Sequence, residues 1–220
     1  MNRQVIIGFA SEGKTDIRFL ENIIQRSFED VAFECYGQVE ILPVQRIEKQ
    51  PGSFTDVVKG YAQEADKNGI MVLCVHVDAD AETDSAALEH KITPAFETVQ
   101  QIDDLVCKNL VAIVPVQMTE AWMLSDCDLL KAEIGTNRSD IELGIGKPPE
   151  SYADPKQAIE TAISIARQDV VRRRRRELTI ADLYLPMGQK TAIQNLAILP
   201  SYQKFRAAVQ DSFRLLNYLP

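Results

Sequence analysis

Ile70-Met71-Val72-Leu73-Cys74-Val75-His76-Val77-Asp78-Ala79-Asp80 decides the reading of this chain. Its first part, rich in valine and following directly on Gly69, is the pattern of a buried strand in a mostly parallel sheet. It runs into two carboxylates one residue apart. In an open α/β sheet the carboxyl ends of the strands form the rim where ligands bind. Two like charges close together on such a rim repel one another, and a bound cation is the usual relief.

Outward from this stretch, apolar runs at 4–9, 39–43 and 111–116 read as further strands. Amphipathic stretches separate them. The first spans 15–28 and sets Ile17, Leu20, Ile23 and Ile24 on one face, the second spans 55–68 and ends at Gly69, and a third starts at Thr93-Pro94 as cap and first helical residue. Strand and helix in alternation predict βαβ units and a mostly parallel four-stranded sheet flanked by helices. Beyond residue 116 the pattern turns helical. A helix is expected over 120–134, a Gly/Pro-containing loop over 135–152, and a cap-plus-proline start at Asp154-Pro155. Breaks follow at Pro186-Met187-Gly188 and at Pro200. The organisation expected is an α/β domain over 1–134 with a helical C-terminal subdomain over 135–220 packed on the same core.

With 45% apolar and 25% charged residues the chain lies in the globular range. It has no apolar run long enough to span a bilayer, and its start lacks the pattern of a secretory signal, so a cytoplasmic protein without a membrane role is expected. Cys35, Cys74, Cys107 and Cys127 form no C-x-x-C pair, which points to reduced thiols rather than zinc or redox chemistry. The net charge of −8 argues against a coat protein for nucleic acid, yet it leaves room for an enzyme in which bound cations reverse the local charge of an acidic site.

The acids at strand ends are the candidates for such a site. Glu12 follows the first strand, Asp78 and Asp80 the third, and Glu120 the fourth. Four carboxylates on one edge suit Mg²⁺ or Mn²⁺, which take oxygen ligands and leave positions for water and substrate phosphate. A pair of ions would suit phosphodiester cleavage. Each acid taken alone is also explained as a helix cap or solvated turn, Asp80 and Asp84 most readily.

Ser11-Glu12-Gly13-Lys14-Thr15-Asp16 resembles the E-G-x-T-D opening of TOPRIM domains, and Asp78-Ala79-Asp80 resembles their D-x-D. Glu120-Ala121-Trp122-Met123-Leu124 is similar to the Glu-bearing segment after the next strand in overcoming-lysogenisation-defect (OLD) nucleases. Asp154-Pro155-Lys156 and the closing residues 201–216 resemble the helical tail of a bacterial family, defined by a domain of unknown function, that is related to those TOPRIM domains. The resemblance implies a TOPRIM-like, Rossmann-like fold and a metal-dependent nuclease. In it Glu12 is a metal-linked acid or general acid/base, Asp78, Asp80 and Glu120 are ligands, and Lys14 approaches phosphate. It also implies a setting in bacterial defence or DNA processing and a separate ATPase partner, because OLD nucleases carry an ATPase domain.

Residues 8–15 fit a second pattern, the G-x-x-x-x-G-K-[ST] phosphate loop, which makes nucleotide (ATP) binding the alternative, with Lys14 on phosphate and Thr15 on Mg²⁺. A third alternative is a non-catalytic metal-binding or regulatory module. The five arginines at 172–176 are either a solvated helix end or a nucleic-acid contact made by Arg172, Arg173 and Arg175, with Lys156 facing the same rim. His76 is expected as a hydrogen-bonded core residue. Trp122 is expected to pack its helix on the sheet, and Tyr184, Tyr202 and Tyr218 with Phe205 and Phe213 to form core rather than a stacking platform.

Overall fold

The computed structural model describes residues 3–11, 13, 15–48, 50–103, 105–168 and 178–220. The expectations for Glu12, Lys14, Arg172, Arg173 and Arg175 lie outside the described residues. Strands β1 (Arg3–Val5) and β2 (Ile7–Ser11) are separated only by Ile6, whose carbonyl accepts from the Met71 and Val72 N–H groups. Helix α1 (Ile17–Ala32) leads to β3 (Val39–Ile41) and β4 (Gln45–Arg46), and α2 (Phe54–Lys67) leads to β5 (Val72–His76). A helical run of α3 (Ser85–Ala87), a π-turn (Leu88–Ile92) and α4 (Thr93–Gln100) then leads to β6 (Leu110–Ile113). Every strand pairing is parallel: β4-β2-β5-β6 form a four-stranded sheet, and β1 and β3 form a two-stranded ladder. The expected mostly parallel four-stranded sheet is present, but the strand read at 4–9 is divided in two, the one read at 39–43 is β3 and pairs with β1 outside that sheet, and the fourth strand of the sheet is β4, just beyond that run.

All five residues of β5 are buried, as a strand covered on both faces requires. Val72 and Cys74 join the apolar cluster that contains the buried face of α1, while Leu73 and Val75 join the cluster of α2 and α4. The connections after the neighbouring strands β2 and β5 therefore leave toward opposite faces of the sheet. That is the topological switch point of an open α/β sheet, where a crevice opens at the strand ends.

The second half of the chain adds α5 (Glu120–Met123), α6 (Cys127–Ile134), α7 (Asp140–Leu143) and α8 (Pro155–Ala166). It continues with α9 (Tyr184–Lys190), α10 (Ile193–Leu196) and α11 (Pro200–Leu215). Helix α9 packs on α1, and α11 packs on α1 and β6. Tyr202, Phe205, Val209 and Phe213 of α11 are buried in the same cluster as α1, at the spacing of a single helix face. Trp122 is fully buried against α11: its ring centre lies 5.3 Å from that of Tyr202, and its indole N–H donates to Ser201 Oγ at 2.7 Å. It thus pins α5 to α11.

Several local readings are corrected. Thr93-Pro94 does not start a helix, because the helical run has already begun at Ser85. Proline lacks an N–H and crowds the carbonyl four residues back; the turn just before it is widened, with the Thr93 N–H bonded to the Leu88 carbonyl, five residues back. Pro186-Met187-Gly188 does not interrupt α9. Pro186 falls in its first turn, where no intrahelical N–H bond is due. The helix read over 120–134 is two helices, divided before Asp126, which caps α6 by accepting from the Leu129 N–H at 3.1 Å. The loop read over 135–152 contains α7 and a 3₁₀ turn at Pro149–Ser151. Asp154-Pro155 and Pro200 do start helices, α8 and α11. No helix among the described residues is long and apolar enough to cross a membrane.

Candidate functional site

Strands β2 and β5 pair in register to their ends, where Ser11 stands opposite His76. Past β6 the chain continues beside the extension of β5, in the same parallel sense. Ala79 N–H donates to the Pro115 carbonyl (3.1 Å), Asp80 N–H to the Gln117 carbonyl (2.9 Å) and Gln117 N–H to the Ala81 carbonyl (3.0 Å). Asp80 and Gln117 both take left-handed backbone conformations, with φ of 51° and 59°. Such conformations are uncommon outside glycine and gather at functional rims. The pairing delivers Thr119 onto Asp78: Asp78 Oδ1 accepts from the Thr119 N–H at 2.9 Å and from its hydroxyl at 3.4 Å. The next residue is Glu120, first in α5.

His76 is buried and bonded at both ring nitrogens, as expected of a core histidine. Ser11 Oγ lies 3.2 Å from Nδ1 and Thr119 Oγ1 3.2 Å from Nε2, with Asp78 Oδ1 3.3 Å from the same Nε2. The Ser11 hydroxyl donates to the Gly13 carbonyl at 2.9 Å. It is therefore an acceptor toward Nδ1–H, which turns Nε2 toward Thr119 and Asp78. Nε2 is then left to accept from the Thr119 hydroxyl, and it is Thr119, through its N–H on Oδ1, that orients the carboxylate, much as outer partners orient metal ligands.

Asp16 completes the group. It stands at the N-cap of α1 but makes no side-chain cap bond; its carboxylate lies against Gly13, where a Cβ would fall 2.1 Å from Oδ2. Burial raises the Asp16 pKa above the ordinary carboxylate value, the nearby His76 opposes that, and the negative charge of Asp78 adds to it. Glu120 is 4% exposed. Burial pushes its pKa up as well; the Tyr184 hydroxyl, which donates to Oε1, opposes this, and the charges of Asp16 and Asp78 push it further up. Three carboxylates from three segments thus repel one another at the ends of β2, β5 and the β6–α5 loop.

Among the described residues no group of three His, Cys, Asp or Glu side chains is set to hold a metal ion as it stands. The donor chemistry nevertheless suits a hard cation. Asp78 meets Thr119 and His76 through Oδ1, its side chain is 27% exposed, and Glu120 meets Tyr184 through Oε1. Mg²⁺ and Mn²⁺ need only a few protein carboxylates, with water and phosphate filling the shell. Asp78 and Glu120 are the described residues that would hold one, with Asp16 behind them.

Of the residues singled out from sequence, Asp78 and Glu120 are brought together. Asp80 is exposed beyond them, and Lys156 is exposed on the first turn of α8. Asp84, read as a cap, makes no cap bond at the start of α3. Its buried carboxylate instead receives Lys204 Nζ on both oxygens at 2.7 Å. The phosphate-loop pattern also loses its geometry. Gly8 lies inside β2, paired with Leu73 and Gln45, and the side chains of Ile70 and Ile47 fill the space a Cβ would take. A phosphate loop begins at that first glycine so that successive N–H groups can surround the anion; here residues 8–11 are strand. Asp16, Thr119 and Tyr184 were not singled out. Asp16 carried a signal, as the last residue of the Glu12 motif, whereas Tyr184 lies 64 residues from Glu120 with nothing to mark it. Comparison with protein families, curated proteins and solved structures gives no match.

Proposed function

We propose that the chain is a Mg²⁺- or Mn²⁺-dependent phosphodiesterase acting on nucleic acid, built on a TOPRIM-like α/β scaffold. The observation that carries this reading is the clamp of Thr119 on Asp78, because it sets the neighbouring Glu120 beside Asp78 at the switch point of the sheet. Acids that merely capped helices would bond the first-turn N–H groups; Asp16 and Asp84 occupy N-cap positions without doing so.

Asp78 and Glu120 would hold the cation, and Glu12, placed by its motif alone, would share it or move a proton. A divalent cation bound there supplies the positive charge that a phosphodiester needs as it is attacked. Thr119 fixes the direction of the Asp78 carboxylate, His76 holds Thr119 in place, and Tyr184 fixes the direction of Glu120. Lys14, Lys156, Arg172, Arg173 and Arg175 remain the proposed contacts to the nucleic-acid backbone. A separate ATPase partner and a setting in bacterial defence or DNA processing follow from the resemblance to OLD nucleases.

The test is cleavage of labelled single- and double-stranded DNA and RNA with Mn²⁺ or Mg²⁺. Asp78→Asn, Glu120→Gln and Glu12→Gln are each expected to lose more than the roughly 10–100-fold that removal of an outer partner causes. A well-folded wild-type chain that neither cleaves nor melts higher with Mn²⁺ would sink the reading.

A further inference from the structure

A cavity of about 260 Å³ opens beside the acids, on the α2 side of the switch point. It is lined by Phe54, Val57 and Tyr61 of α2 and by Ser11, His76 and Gln50. Two of these residues join it to the acidic group. Ser11 Oγ contacts His76 Nδ1, and His76 Nε2 lies 3.3 Å from Asp78 Oδ1, so a single imidazole separates the cavity from the carboxylate.

We infer that this cavity receives one unpaired nucleobase of the substrate, while the phosphate next to that base meets Asp78 and Glu120. The inference rests on the phosphodiesterase reading for the identity of the ligand. The volume lies below the roughly 300–1,000 Å³ of sites that take drug-sized ligands, a size that suits one flat ring system. An aromatic and aliphatic lining that also carries the Ser11 hydroxyl and the Gln50 carboxamide, whose Nε2 donates to Glu64, matches a base, which has an apolar face and a polar rim. A base inside a duplex cannot enter, so the substrate at this position is single-stranded or has its base turned out of the stack.

The experiment uses the intact chain and short single-stranded oligonucleotides that carry one 2-aminopurine at each position in turn, with matched oligonucleotides lacking the base at that position. The expected result is fluorescence quenching at one position, and about tenfold weaker binding when that base is removed or when Phe54 is changed to Leu, the size of one lost base–aromatic stack. Gln50→Ala should weaken binding of the base-bearing oligonucleotide more than that of the base-free one. Equal binding with and without the base, quenching unaltered in Phe54→Leu, or no oligonucleotide binding at all would overturn the inference. Because these readouts need no turnover, the two ideas separate. Metal-dependent cleavage with no base dependence keeps the phosphodiesterase and removes the pocket; base capture without cleavage keeps the pocket and removes the hydrolysis.

Discussion

Tyr184, first residue of α9, donates its hydroxyl proton to Oε1 of Glu120, first residue of α5, and both side chains are buried. The bond joins the C-terminal helices to the acidic rim of the sheet. Burial, and then the hydrogen bond and charge of Glu120, hold the Tyr184 phenol well above its ordinary pKa, so it stays a donor.

Tyr184→Phe keeps the ring and removes only that donor. A buried carboxylate left short of a partner costs about 1–3 kcal/mol, so chemical denaturation should show the variant less stable by an amount in that range. The hydroxyl is also what opposes the rise in the Glu120 pKa. The Mn²⁺-induced rise in melting temperature should accordingly need higher pH in Tyr184→Phe than in the wild type. A variant as stable as wild type, with the same pH dependence of Mn²⁺ binding, would show that the contact does nothing for Glu120.

The folded pKa values of Asp16 and Glu120 lie above the ordinary 3.8 and 4.5. Well below those values both groups are protonated folded or unfolded, and they contribute nothing. As pH rises past them the unfolded chain gives up these protons first, so stability falls until pH passes the raised folded values, where the loss is complete. Asp16→Asn and Glu120→Gln remove the fall. In chelator at neutral pH each should be more stable than wild type by on the order of 1 kcal/mol, with the advantage fading as pH falls and gone only well below the ordinary values, at about pH 3 or less. Urea midpoints across this range, taken as variant minus wild type, cancel the opposite contribution of Glu34 and Glu142, whose pKa values are lowered. Variants less stable than wild type at neutral pH would mean that hydrogen bonding outweighs repulsion at this rim.

The sheet was legible because parallel strands buried on both faces must be nearly continuous apolar runs, as in Val72–His76. Asp78 and Glu120 were legible because acids after strands fall on one rim in any open α/β sheet. Tyr184 was not. Its partner is fixed by how α9 lies on α1, and a buried tyrosine among other tail aromatics looks the same in sequence whether its hydroxyl meets a carboxylate or, as Tyr202 does, Ser27. Gly8 misled for the related reason that a glycine needed for packing under Ile70 reads the same as one needed for a phosphate loop. The helix at Ser85 was hidden because the proline at 94 resembled a start, and only a widened turn lets the helix run through it.

Gly188 is the glycine on which the placement of Tyr184 depends. A Cβ there would fall 2.6 Å from the Phe19 carbonyl oxygen and 2.9 Å from its Cα, both main-chain atoms of α1, while the Gly188 carbonyl accepts from Arg26 of α1 at 3.1 Å. Backbone on both sides leaves no flexible side chain to yield, so Gly188→Ala must move α9 away from α1, at about 1–3 kcal/mol. The same movement draws Tyr184 from Glu120. Gly188→Ala should therefore lower the melting temperature and also weaken the Mn²⁺-induced rise. Gly135→Ala serves as the comparison: its φ of 79° makes alanine strained there, with open space around the added carbon, so it should lose about 1 kcal/mol of stability and keep the Mn²⁺ response. Equal Mn²⁺ responses in the two variants would show that the rim is set without α9, and that the C-terminal helices contribute core but not geometry.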